Sequence, residues 1–114
     1  MAVLAATTPW GEEVEVEVSR MDAWMADEWK WRTTKEGYVF RDTSIRIPGR
    51  KYPMHISVYL HRQICGLERG DERQVNHLDR NPLNNCRSNL QVVTRTENMH
   101  HWMLMDGVMD AVPA

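Results

Sequence analysis

One imidazole stands among an unusual concentration of amides. His77 is preceded by Asn76 and followed by Asp79, and Asn81, Asn84, Asn85 and Asn89 come within the next twelve positions. Gln74 to Asp79 reads as a short strand ending in a polar cluster, Arg80 to Asn89 as a loop rich in Asn and Pro, and Leu90 to Val93 as the returning strand. Thr94-Arg95-Thr96-Glu97 has the Ser/Thr-x-x-Glu form of a capping box, which predicts a helix carrying Asn98, Met99 and His101 early in its course. Strand, loop, strand and helix in this order can gather one His and several amides about a common point, the kind of shell a metal-dependent hydrolase requires. The same residues also admit a plainer reading. Asn84, Asn85 and Asn89 are ordinary turn formers, bonded to their own backbone, and His77 in a turn is an ordinary surface residue.

The elements upstream must position this unit. From about Val58 to Cys65, Tyr59, Leu60 and Ile64 suggest a helix that Gly66 ends through a left-handed cap. Glu13 to Val18 alternates acid and valine with the period of a half-buried strand, Val14, Val16 and Val18 inward and the glutamates guarding an edge. Ser19 and Asp22 resemble a capping box ahead of Met21, Trp24, Met25 and Trp29 at helical spacing, so a short helix is expected. Trp29, Trp31 and Thr33 alternate again, Lys35-Glu36-Gly37 supplies a turn, and Tyr38 to Arg41 returns as the second strand of a hairpin. Trp24, Trp29 and Trp31 are expected in the core. Pro48-Gly49-Arg50-Lys51 marks a further turn.

With 114 residues, 42% apolar and 26% charged, the chain suffices for one small domain and is too short for two. No apolar run approaches the roughly 18 to 20 residues of a membrane span, and Met1 to Trp10 lacks the cationic start of a secretory signal. A soluble, cytoplasmic protein with no membrane partner is expected. Cys65 and Cys86 are too few for a disulfide scaffold and lack zinc-ribbon spacing; on a helix Cys65 shares a face with His61, but zinc is not expected. The net charge of −2 hides a polarised chain: residues 1–30 hold two basic and seven acidic side chains, residues 31–105 twelve basic and seven acidic. Ten of those twelve are Arg, whose planar fork suits phosphate.

At this point the motifs resemble a known family. His61-Arg62, Gly66-Leu67, the run Val75-Asn76-His77-Leu78-Asp79-Arg80-Asn81-Pro82-Leu83-Asn84-Asn85, Ser88-Asn89-Leu90 and Thr96-Glu97-Asn98 are similar to the His-Asn-His (HNH) endonucleases. They are closest to the phage and homing branch, in which the third motif position is Asn. His77 matches the first motif position, Asn89 the middle one twelve residues later, and Asn98 the last one, twenty-one after His77. Trp29-Lys30-Trp31 and Gly37-Tyr38 extend the resemblance upstream.

The resemblance implies an α+β fold: one small domain with an N-terminal antiparallel β-hairpin or sheet and short helices, then a ββα-metal (His-Me finger) hairpin and helix. The segments expected are an extension over residues 1–12, a strand, helix and hairpin region over 13–66 ending in a helix, the nuclease motif over 67–103 and a Met-rich tail over 104–114. It also implies hydrolysis of phosphodiester bonds in double-stranded DNA, leaving a 5′ phosphate and a 3′ hydroxyl. An imidazole of unperturbed pKa about 6.5 is suited to accept a proton from water near neutrality, and His77 is the implied general base. Asn98 and Asn76 are the implied ligands of one divalent metal ion, Mg²⁺ or Mn²⁺, and Asn89 holds the loop and orients the base. Asp is frequent where Asn76 stands, and two neutral amides make weak metal affinity without DNA the expectation, with Asp79 as an alternative ligand.

For DNA contacts the expected residues are Arg46, Arg50, Lys51, Arg62, Arg80, Arg87, Arg95, His100 and His101. His61 occupies a recurrent family position, either packing on the hairpin or touching phosphate, and His55 is structural. The protein is expected as a monomer or homodimer of phage or mobile-element origin. The competing class is a DNA-binding module that keeps the fold without useful catalysis; a structural zinc-binding domain, resting on Cys65 and Cys86, is the third.

Overall fold

The structure, a computed structural model, describes residues 1–94 and residue 96. Its strands are β1 (Ala2–Thr7), β2 (Glu13–Val18), β3 (Trp31–Thr33), β4 (Val39–Ile45), β5 (Met54–Tyr59), β6 (Gln74–His77), β7 (Asn84–Asn85) and β8 (Leu90–Val93), and its helices α1 (Met25–Glu28) and α2 (Leu60–Ile64). Six strands form one sheet in the order β5-β4-β3-β1-β2-β7, and β6 and β8 form a separate antiparallel ribbon. The described fold is therefore α+β, mostly sheet with few and short helices. No described helix is long and apolar enough to cross a membrane.

The alternating acids and valines of β2 do what their period demands: Val16 and Val18 are wholly buried while Glu13 and Glu15 are exposed. β2 is not an edge, however. It pairs with β1 along six residues, from Ala2↔Val18 to Thr7↔Glu13, and with β7 in parallel on its other side. Residues 2–7, read from the sequence as part of an extension, thus form an interior strand that also pairs in parallel with β3. Ala-Val-Leu-Ala-Ala-Thr has weak intrinsic strand preference, and its place is set by partners on both sides. Leu4, Ala6, Val16, Val18, Trp31 and Val39 from the sheet meet Met25 of α1 and Leu60 and Ile64 of α2 in one core. Helices this short are not stable alone; burying Leu60 completely contributes about 2–3 kcal/mol and holds α2 on the sheet.

Three local expectations change. The helix foreseen after Ser19 is a single 3-10 turn at Arg20–Asp22 followed by the four-residue α1, and neither start has a side-chain cap. Ser19 and Asp22 are instead drawn to Arg87, far along the chain. Of the three tryptophans, Trp31 is buried, its indole N–H donating to the Met25 carbonyl (2.9 Å). Trp29 is half-buried beneath the Arg41 guanidinium (4.2 Å), a cation–π contact, whereas Trp24 is 53% exposed. The helix foreseen over Val58–Cys65 starts only at Leu60, because Val58 and Tyr59 finish β5. Gly66 does end it at φ 74°, its N–H bonded to the Gln63 carbonyl and that of Leu67 to the Arg62 carbonyl, the turn that a Cβ disfavours.

Candidate active site

β6 ends by delivering two adjacent buried side chains, Asn76 and His77, opposite Gln91 and Leu90 of β8. The chain then turns sharply. Arg80 adopts a left-handed φ of 62°, and its N–H bonds back to the His77 carbonyl (2.9 Å). The loop is laced together through Asp79, whose carboxylate accepts from the Asn81 backbone (2.8 Å), the Asn84 amide (2.9 Å) and the Asn89 amide (2.9 Å). These donors, Asn84 foremost, hold the Asp79 carboxyl below the usual carboxylate range. Asn89 is the hub of the return: its Nδ2 also donates to the Asn84 carbonyl (2.9 Å), and its Oδ1 accepts from the Asp79 N–H (3.0 Å). Its backbone carbonyl accepts from the Leu78 N–H (2.8 Å). The bonds of Asn89 tie the loop together and do not reach the imidazole. Asp79, an alternative cation ligand from sequence, is exposed and accepts three hydrogen bonds within the loop.

The imidazole is held by Asn85, which the sequence reading left as a turn former. His77 Nε2 lies 3.0 Å from Asn85 Oδ1, and Asn85 Nδ2 donates to the Pro82 carbonyl (3.1 Å). A carbonyl only accepts, so the Pro82 bond fixes which end of the amide faces His77. The oxygen faces the ring; Nε2 must carry the hydrogen, and in the neutral ring Nδ1 keeps its lone pair. Asn85 is itself completely buried, and β7, to which it belongs, is locked to β2 by the pairs Glu17↔Asn84 and Val18↔Asn85. A second lock is the Arg87 fork on Asp22, Nε to Oδ2 (2.9 Å) and Nη2 to Oδ1 (2.8 Å), with Arg87 N–H donating to Ser19 Oγ (2.9 Å). Asp22 is 1% exposed, so this bidentate pair is the main reason a carboxylate is tolerated there. The six-stranded sheet thereby carries Asn85, which in turn holds the His77 ring.

His77 and Asn76 line an open cavity of about 390 Å³ together with Tyr38, Tyr59, His61, Arg62, Arg80 and Pro82. The His61 and His77 rings are edge to face at 5.1 Å, and Tyr38 lies 5.9 Å and 6.0 Å from them. Burial first, then the nearby His77 and Arg62, push the His61 pKa down to about 4. The buried Asn76 amide nitrogen has no hydrogen-bond partner among the described residues. Among the described residues no three His, Cys, Asp or Glu side chains converge as a cation cage. Asn76 fits a hard cation that arrives with a phosphate, because an amide oxygen is a hard, neutral ligand. Tyr38 and Tyr59 are wall residues that sequence reasoning missed, since one comes from the β3–β4 turn and the other from the end of β5 and only the sheet brings them to His77.

The other candidates separate into groups. Arg80 lines the cavity. Arg62 does too, but its two terminal nitrogens donate to the Arg73 and Asp71 carbonyls (2.8 Å each); this pins the connector into β6 and occupies the fork expected on phosphate. Arg87 is likewise taken, by Asp22. Arg46, Arg50 and Lys51 lie exposed between β4 and β5, about 26 Å or more along the hairpin from Tyr38. Asn98, Arg95, His100 and His101 lie outside the described residues. Cys65 and Cys86 are free, half-buried thiols, pushed up chiefly by burial.

Residues 58–100 match the model of a family described as HNH endonuclease. That segment, which includes Asn76, His77, Asn89 and Asn98, supports an HNH-type nuclease domain in this part of the chain. No curated protein and no solved structure matches.

Proposed function

We propose that this protein is a metal-dependent DNA endonuclease of phage or mobile-element homing type, with His77 as general base. The observation that carries the reading is the His77 imidazole, set on the wall of an open cavity with Nε2–H held by a buried amide and Nδ1 without a partner among the described residues. A water placed at Nδ1 gives up its proton there as its oxygen attacks the scissile phosphorus. Asn85 keeps the ring in the competent tautomer, and its oxygen faces the charge that develops on the imidazolium. Asn76 and Asn98 would hold one Mg²⁺ or Mn²⁺ through their amide oxygens. When bound, that ion supplies positive charge to the phosphate and the leaving 3′ oxygen. Asn89 acts at one remove, keeping the loop closed so that Asn85 stays under His77. The β4–β5 hairpin supports duplex DNA as the substrate, because it starts at Tyr38 and Tyr59 on the cavity and carries Arg46, Arg50 and Lys51 at its tip.

The test is conversion of supercoiled plasmid to nicked or linear form with Mg²⁺, Mn²⁺ or chelator, by the wild type, His77→Ala and Asn98→Ala. Cutting that needs metal and is lost in both variants is expected; equal cutting by His77→Ala removes the general-base assignment. A DNA-binding module without useful catalysis is the second reading, favoured by the absence of a carboxylate at position 76. Binding without cutting, rescued by Asn76→Asp, would establish it.

A further inference from the structure

The cavity contains a second imidazole for which the His77 chemistry has no use. His61 follows Leu60, the deepest residue of α2, and where Leu60 and Ile64 face the core, His61 lines the cavity. It is enclosed by rings, Tyr59 at 5.6 Å, Tyr38 at 5.9 Å and His77 at 5.1 Å. Neither of its ring nitrogens has a hydrogen-bond partner among the described residues. An apolar ring would pack there without bringing a polar group. Asn76 lines the same cavity, its amide nitrogen buried and without a hydrogen-bond partner among the described residues. A ring donor without an acceptor on a cavity wall suits a ligand rich in acceptor oxygens.

We propose that His61 is a second catalytic imidazole, donating a hydrogen bond from its ring N–H to a non-bridging oxygen of the scissile phosphate while His77 acts on the attacking water. The inference rests on the nuclease reading and deepens it. Hydrogen bonds span about 2.7–3.2 Å, so rings whose centres are 5.1 Å apart can address two oxygens around one phosphorus. Burial keeps His61 neutral at neutral pH, which leaves it one N–H donor and no need to exchange protons with His77. A donor fixed in place before the reaction stabilises the charge growing on the phosphate oxygens without reorganising.

The variants are His61→Phe, which keeps a ring without N–H, and His61→Gln, which restores an amide donor. On a duplex with a single cleavable site, His61→Phe should lower kcat by about 10²-fold with KM little changed, the loss expected for one oxyanion donor, and His61→Gln should recover part of it. Stereospecific phosphorothioate substitution separates contact from packing. Sulfur at the contacted oxygen should slow the wild type about tenfold and leave His61→Phe no slower than on the oxygen substrate. Independently of turnover, duplex added in chelator to ¹⁵N-labelled protein should move the His61 ring N–H downfield. Wild-type cutting with equal cutting by His61→Phe, equal sulfur effects in both, or DNA binding that shifts other resonances and leaves His61 unmoved would each overturn the His61 assignment alone. A wild type that neither cuts nor binds DNA would overturn the nuclease reading, and this inference with it.

Discussion

Asn85→Ala tests the link between loop and base. The substitution removes the bond to His77 Nε2 and the bond to the Pro82 carbonyl, at a residue with no exposure. Two hydrogen bonds of about 1 kcal/mol each, an imidazole N–H left without its acceptor and a small cavity amount to about 2–4 kcal/mol of stability. With a urea dependence of about 1.5 kcal/mol per M, the unfolding midpoint should fall by roughly 2 M. Activity should fall further than stability requires, because the freed ring samples the wrong tautomer and orientation; partners of this kind are typically worth about 10–100-fold. The assay is plasmid nicking under conditions where circular dichroism shows both proteins folded, alongside urea unfolding. A folded Asn85→Ala protein that nicks at the wild-type rate would refute the argument that Asn85 selects the base, and a midpoint shift under about 0.5 M would refute the burial argument.

Arg87→Ala leaves Asp22 buried without its partner; since Arg87 is itself half-exposed, the cost should sit at about 2–3 kcal/mol, below the 3–5 of a fully buried pair. Asp22→Asn should restore part of it in the double variant, as read by thermal melting. His61 should make the fold sensitive to mild acid. Its pKa is about 4 in the fold against about 6.5 when unfolded, so between those values the unfolded chain binds more protons and stability falls as pH drops from 6.5 towards 4, by about 2–3 kcal/mol. His61→Phe should flatten that segment of the stability–pH curve, and parallel curves would contradict the assignment. Replacing Arg46, Arg50 and Lys51 together by Ala should reduce the log–log salt slope of DNA binding by about 2 to 3 if each meets a phosphate; an unchanged slope would put DNA on another face.

The amino-acid sequence by itself determined the features that depend on neighbours a few residues away. The valine alternation of β2, the Gly66 stop of α2 and the strand–loop–strand course from Gln74 to Val93 are all local, written in periodicity and turn chemistry. The resemblance to the HNH endonucleases likewise points to Asn76, His77, Asn89 and Asn98 as proposed site residues without any coordinates. What only the tertiary structure decided concerns contacts between distant segments. The parallel pairings β1–β3 and β2–β7 leave no turn signature, so the interior place of Ala2–Thr7 and the sheet support of Asn85 were not legible. Asp22 meets Arg87 across 65 residues, and it looked like a helix cap because local spacing was all the sequence offered. Asn84, Asn85 and Asn89 are chemically alike; which of them closes the loop and which holds the imidazole depends on where the backbone turns. Tyr38, His61 and His77 become one cavity wall because the β3–β4 turn, α2 and β6 converge on it, a consequence of packing over the core of Leu4, Val16, Trp31 and Leu60.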